Sequence, residues 1–201
     1  MRLYDFELSG NCYKIRLMLS LLGISYECQT VDLANGEQTT EAFRKLNSKG
    51  EVPVLQDGDD CISDSNAILV YLASRYAPET YLPRAPEIQA RIQYWLSTTA
   101  NEIHHGVAAA RVVKVFGRPL DYDAAALAGT QQLRLLDEFL ASHPWLAADR
   151  VTIADIAVYP YVALAEDGGI SLSDYPHIQQ WFERIENLAG YIPLPRVPVA
   201  A

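Results

Sequence analysis

Ser9 and Cys12 stand three residues apart in Ser9-Gly10-Asn11-Cys12, between the strand-like run Leu3-Tyr4-Asp5-Phe6 and a stretch of helical spacing from Tyr13. A strand-to-helix junction leaves backbone amides free at the positive end of the helix dipole, where an anion is stabilised. Two cysteines at such a place would carry out thiol–disulfide exchange. Serine forms no mixed disulfide, so Ser9 offers instead a hydroxyl that can donate a hydrogen bond to a thiolate brought by another molecule. Taken alone, Ser9 reads first as a helix cap.

Two further segments carry polar chemistry. In Gly50-Glu51-Val52-Pro53-Val54-Leu55 a proline interrupts a strand-like run, which places it on an edge or on special backbone. A cis Val52–Pro53 bond would turn the Val52 amide and carbonyl outward to pair with an extended peptide, whereas a trans bond would mark only an edge strand. Asp64-Ser65-Asn66-Ala67 opens a helix and alone is an N-cap. In register with the other two, it could hold the amino and carboxyl ends of a substrate.

The elements that must position these residues divide the chain in two. Pro78, Pro83 and Pro86 disfavour helix and mark residues 78–86 as a linker. Before it, residues 1–77 predict the order β-α-β-α-β-β-α. The helices run from Tyr13 to Leu22, Thr40 to Leu46 and Ser65 to Tyr76, the second strand runs from Tyr26 to Leu33, and a hairpin turns at Asp57-Gly58. The strand–helix–strand opening implies a parallel pair with a right-handed crossover. After the linker, residues 87–201 predict an all-helical bundle. One helix runs from Pro86 to about Phe116, and another, capped by Asp121, to about His143. A third begins at the capping box Thr152-Ile153-Ala154-Asp155 and is kinked at Pro160; the last spans roughly Pro176 to Leu188.

Composition narrows the classes of partner. The 201 residues are 50% hydrophobic and carry 16 Lys+Arg against 25 Asp+Glu, a net charge of −9, which ill suits a nucleic-acid or anionic-membrane binder. No apolar run approaches the roughly 18 residues of a spanning helix, and the acidic N-terminus is unlike a signal peptide. Three cysteines cannot all pair within one chain and none has zinc-type spacing, so the expectation is a cytoplasmic protein with free thiols and no metal.

In this order and spacing, Ser9-Gly10-Asn11, Asn47 to Leu55 and Asp64 to Leu69, followed by the Pro-rich linker and the Thr152–Asp155 box, the chain resembles the glutathione S-transferase superfamily over nearly its whole length. The Ser-x-Asn start is similar to the theta- and nu-like bacterial branches. The resemblance implies a thioredoxin-like N-terminal domain that binds glutathione as co-substrate, a helical C-terminal domain bordering the electrophile pocket, and a homodimer. It implies that Ser9 and Asn11 are catalytic, donating to the glutathione thiolate. Val52, beside cis Pro53, would pair with the cysteinyl moiety, and Asp64 and Ser65 would hold the γ-glutamyl ammonium and carboxylate. The activity implied is attack on an electrophile, or glutathione-dependent reduction of a peroxide or disulfide.

Two positions depart from the pattern. Glu51 stands where relatives often have Lys or Gln, and Gln38 where theta-like relatives have a histidine that reaches the glycyl carboxylate. Both remove positive charge and favour the second reading, a non-catalytic interaction module; the intact Ser9, Pro53 and Asp64-Ser65 set opposes it. His104 and His105, adjacent on a helix, cannot chelate as an i, i+4 pair does. His104 and Arg111 are the residues expected to reach the electrophile pocket. Cys12 reads as a buried helix residue and Trp95, Trp145 and Trp181 as core or interface.

Overall fold

The computed structural model describes residues 1–197. Its first half runs β1 (Arg2–Asp5), α1 (Gly10–Leu21), β2 (Glu27–Thr30), α2 (Glu41–Leu46), β3 (Val54–Asp57), β4 (Asp60–Ser63) and α3 (Ser65–Tyr76). The strands lie in the order β2-β1-β3-β4. β1 and β2 are parallel and the other two pairs antiparallel, as a crossover followed by a hairpin requires. β2 is four residues long rather than the eight expected from Tyr26 to Leu33. Its partner β1 ends at Asp5, where the chain turns toward Ser9, and leaves nothing further to pair with.

The second half is helical: α4 (Pro86–Thr98), a π-helical stretch (Thr99–Ala108), α5 (Ala109–Phe116), α6 (Tyr122–Leu140), α7 (Ile153–Ala163) and α8 (Pro176–Glu186). The expected single helix from Pro86 to Phe116 is therefore three segments. Gly106, inside the π-helical stretch, packs directly on Gly129 of α6. A Cβ at Gly106 would lie 2.8 Å from the Gly129 Cα, so only hydrogen on both sides permits this crossing. α6 stops at Leu140 rather than His143, whose ring instead stacks on Phe139.

The capping box forms as the sequence predicts and reaches beyond its own helix. The wholly buried Asp155 accepts from the Thr152 and Leu146 amides at 2.9 and 3.0 Å and from the Trp181 indole at 3.1 Å. It thereby ties α7 to α8 and to the loop before it. Burial pushes the Asp155 carboxyl above its usual range, against the pull of those donors.

One hydrophobic core runs through both halves. Leu3 and Leu55 of the sheet, Leu69 and Leu72 of α3 and Ile156 and Tyr159 of α7 belong to a single buried cluster. A smaller one, Val31, Phe43 and Val54, sits between α2 and the sheet. The C-terminal segment closes over α1: the Tyr13 hydroxyl donates to the Ile192 carbonyl at 2.6 Å, and the Ser20 hydroxyl to that of Gly190 at 2.7 Å. No helix among the described residues is long and apolar enough to cross a membrane.

Candidate active site

At the head of α1, Ser9 caps the helix by accepting the Cys12 amide at 3.3 Å. A hydroxyl that accepts through its oxygen still has its own proton to give, so capping and donation to a bound thiolate coexist in one side chain. Cys12 points the other way. It is fully buried, accepts from the Phe6 amide at 3.4 Å, and burial pushes its thiol up to about 12, so it is held as an inert thiol.

Behind Ser9 lies a group that the sequence did not disclose. Lys14, one turn into α1, is 2% exposed and donates to the Ser65 hydroxyl at 3.3 Å. Ser65 in turn donates to the Asn11 side-chain oxygen at 3.1 Å. The Ser65 hydroxyl has a single proton and the Asn11 oxygen can only accept, so that proton goes to Asn11 and Ser65 accepts from a Lys14 N–H, whether the lysine is charged or neutral. Asn11 is thereby fixed with its carbonyl inward and its amide NH2 left for a ligand. Burial pulls the Lys14 ammonium down to about 7, and Asp64 opposes that shift.

Tyr161 of α7 was likewise not anticipated. Its ring covers Gly10 so closely that a Cβ there would come within 3.0 Å of it. Burial pushes its phenol up to about 12, so at neutral pH it is a proton donor beside the Ser9 turn. Periodicity gives no sign of either residue's role, since both depend on how α7 packs on α1.

From Asn11 a polar cleft extends past Asn47, Lys49, Glu51, Val52, Pro53, Ser63, Asp64 and Ser65. The Val52–Pro53 bond is cis. Among the described residues, no backbone hydrogen bond involves Val52, so its amide and carbonyl are available to an extended peptide. Asp64 adopts φ 76°, uncommon for a residue other than glycine, at a cost of roughly 1–3 kcal/mol. It caps α3 with one oxygen, which accepts the Asn66 and Ala67 amides at 2.9 and 3.0 Å. The Ser65 amide, unbonded among the described residues, remains at the helix head for an anion. A ligand with an ammonium, a carboxylate and an amide backbone fits this donor and acceptor set.

On the other side of Ser9 and Gly10 opens a cavity of about 420 Å³, walled by Phe6, Leu8, Leu33, Ala34, Arg111, Val112, Phe116, Arg118 and Tyr161. Arg111 is 2% exposed, bonded to the Asp167 carboxylate and to the Leu8 carbonyl, each at 3.1 Å. The structure thus places Ser9 and Arg111 at the cavity and Asn11, Val52, Pro53, Asp64 and Ser65 at the cleft. His104 and Gln38 join neither set. His104 is exposed on the π-helical stretch; seven residues apart on an α-helix it would share a face with Arg111, but the wider π turn removes that register. Gln38 turns its side-chain oxygen into a buried place without a hydrogen-bond partner among the described residues. Glu51 is exposed at the cleft beside Lys49.

The fold is a thioredoxin-like sheet domain joined to a helical one, and comparison with known proteins gives the family. Residues 3–80 match the family model for the glutathione S-transferase N-terminal domain, and residues 107–189 the one for its C-terminal domain. Glutathione S-transferase 3 of Zea mays is 32% identical over 98% of this chain and 97% of its own. A crystal structure of a glutathione S-transferase from Pseudomonas fluorescens is 36% identical with a TM-score of 0.90, covering 96% of this chain and 98% of that one. That of human glutathione transferase theta-2, in complex with glutathione, is 28% identical with a TM-score of 0.85, covering 94% and 82%. The chain belongs to the glutathione S-transferase family.

Proposed function

We propose that this enzyme binds glutathione along the Asn11–Ser65 cleft and stabilises its thiolate at the head of α1 for attack on an electrophile in the adjoining cavity. One observation carries the reading: the turn Ser9-Gly10-Asn11 is shared, with Ser9 facing the apolar cavity and Asn11 the polar cleft. A peptide whose γ-glutamyl end lies at Asp64 and Ser65, and whose cysteinyl backbone pairs with Val52, would bring its sulfur to that turn. The Ser9 hydroxyl and the Asn11 amide then donate to the sulfur. Lowering a thiol pKa from about 8.5 to between 6 and 7 raises the thiolate fraction at neutral pH roughly tenfold or more. The sulfur forms a bond to the electrophilic carbon, the leaving group departs with its electron pair, and the thiol proton has already gone to solvent. Reduction of a peroxide or disulfide would need a second glutathione, since Cys12 is sealed.

In kinetic terms, Ser9→Ala is expected to lower kcat at least tenfold while glutathione affinity changes less than threefold; Cys12→Ala should leave both near wild type. Unchanged kcat in Ser9→Ala would take Ser9 out of the mechanism.

The same reading makes the protein a homodimer of cytoplasmic location, each chain divided into units 1–77 and 87–201 by the linker 78–86. Exposed Val70 on α3 and Tyr94 on α4 supply apolar surface for a partner, and the free thiols of Cys28 and Cys61 suit a reducing compartment. Light scattering at micromolar concentration should return twice 22.4 kDa, and a 22.4 kDa particle would refute the dimer.

A further inference from the structure

The cavity beside Ser9 carries an unusual charge for this chain. The protein has a net charge of −9, yet among the described residues those that wall the cavity include two arginines and not one carboxylate. The head of α1 adds positive potential at its other end.

The two arginines differ in what already satisfies them. Arg111 shares its counter-ion: Asp167 receives Arg111 at 3.1 Å and Arg196 at 3.6 Å, so two guanidiniums stand against one carboxylate. Its second terminal nitrogen is buried without a hydrogen-bond partner among the described residues, and its guanidinium lies 5.6 Å from the Phe116 ring centre. A buried cation left partly unpaired is costly, and a nearby anion relieves it. Arg118 follows the end of α5 at Gly117 and is exposed at the cavity's edge. Among the described residues its side chain makes no ion pair or hydrogen bond, so its planar fork is free for a two-point contact with a carboxylate. Between these cations and Ser9 stand apolar walls; the Phe6 and Phe116 rings are 6.2 Å apart at a tilt of 52°.

We infer that the electrophile this enzyme takes is a carboxylate-bearing aromatic compound. Its ring packs against the Phe6 and Phe116 rings, its carboxylate on Arg118 over the field of Arg111, and its reacting carbon toward Ser9. This rests on the transferase reading above and adds the class of the second substrate.

The test uses two preformed conjugates, S-(4-carboxy-2,6-dinitrophenyl)glutathione and its methyl ester at the ring carboxyl, with glutathione alone as reference, titrated calorimetrically into wild type and Arg118→Gln. Conjugates remove any difference in intrinsic reactivity. The acid should bind at least tenfold tighter than the ester at low salt, less so at high salt. In Arg118→Gln the preference should fall below threefold while the ester and glutathione bind as before. Equal affinities, a preference for the ester, or an acid preference that survives in Arg118→Gln would each overturn the inference. Binding of glutathione separates the two levels: if it binds without any acid preference, only the substrate class is wrong, and if it fails to bind, the transferase reading fails and the inference with it.

Discussion

Lys14 is the residue on which the polar half of the site turns. Its amino group, the Ser65 hydroxyl and the Asn11 amide form one directional chain, so removing the lysine frees Ser65 to rotate and Asn11 to flip. The charged or titratable groups facing it are Asp64 on α3, His104 on the π-helical stretch and the Tyr161 phenol. The pH consequence has a definite sign. With a folded pKa near 7 against 10.5 unfolded, the unfolded chain holds more protons between those values, so stability rises with pH across that window. The slope reaches at most one proton, about 1.4 kcal/mol per pH unit. Lys14→Met should abolish this increment, and denaturant unfolding of both proteins at about pH 7, 8 and 9 measures it. A constant difference between the two across that range would show that Lys14 keeps its charge on folding.

Among the elements, the π-helical stretch does most to distinguish the fold from what its pattern suggests. Residues 86–116 contain no internal proline and only Gly106 as a breaker, so nothing in the spacing of apolar residues signals a widened turn. The stretch carries a tertiary contact that this spacing cannot show, that of Gly106 with Gly129, and its widened turn displaces His104 from Arg111. A methyl at Gly106 gains at most about 1 kcal/mol of helix propensity and, meeting the Gly129 backbone at 2.8 Å, overpacks the crossing at the upper end of the usual range, by about 2–3 kcal/mol. Gly106→Ala should therefore lose about 1–2 kcal/mol in thermal unfolding. A variant as stable as wild type would mean that α6 can yield at Gly129. By contrast, Ser9, Pro53, Asp64 and the Thr152–Asp155 box were legible because each acts through its own backbone neighbours. Tyr161 and Lys14 were not, because their surroundings come from elements distant in sequence.

At the scale of the whole molecule the two halves share their interior. Tyr13 of α1 and Tyr159 of α7 lie 6.3 Å apart in one buried cluster, and the segment after α8 bonds back to α1. All three tryptophans lie in the helical half, so fluorescence reports that half while far-ultraviolet circular dichroism reports both. The two signals should trace coincident unfolding curves at a given protein concentration. A tryptophan transition displaced from the circular dichroism would show that the sheet-bearing half unfolds separately.

The bond from Tyr13 to the Ile192 carbonyl also sets an order of events at the ribosome. A chain that grows at about 5–20 residues per second completes α3 some 6–23 s before residue 192 is made. For about the first 4–17 s of that interval, until α7 ends at Ala163, the inner face of α1, with Tyr13, Leu17 and Met18, has neither α7 nor the tail to cover it, and for the remainder it lacks the tail. The nascent N-terminal half is thus the part of this protein most in need of a chaperone, and the segment Gly190–Ile192 ends that need.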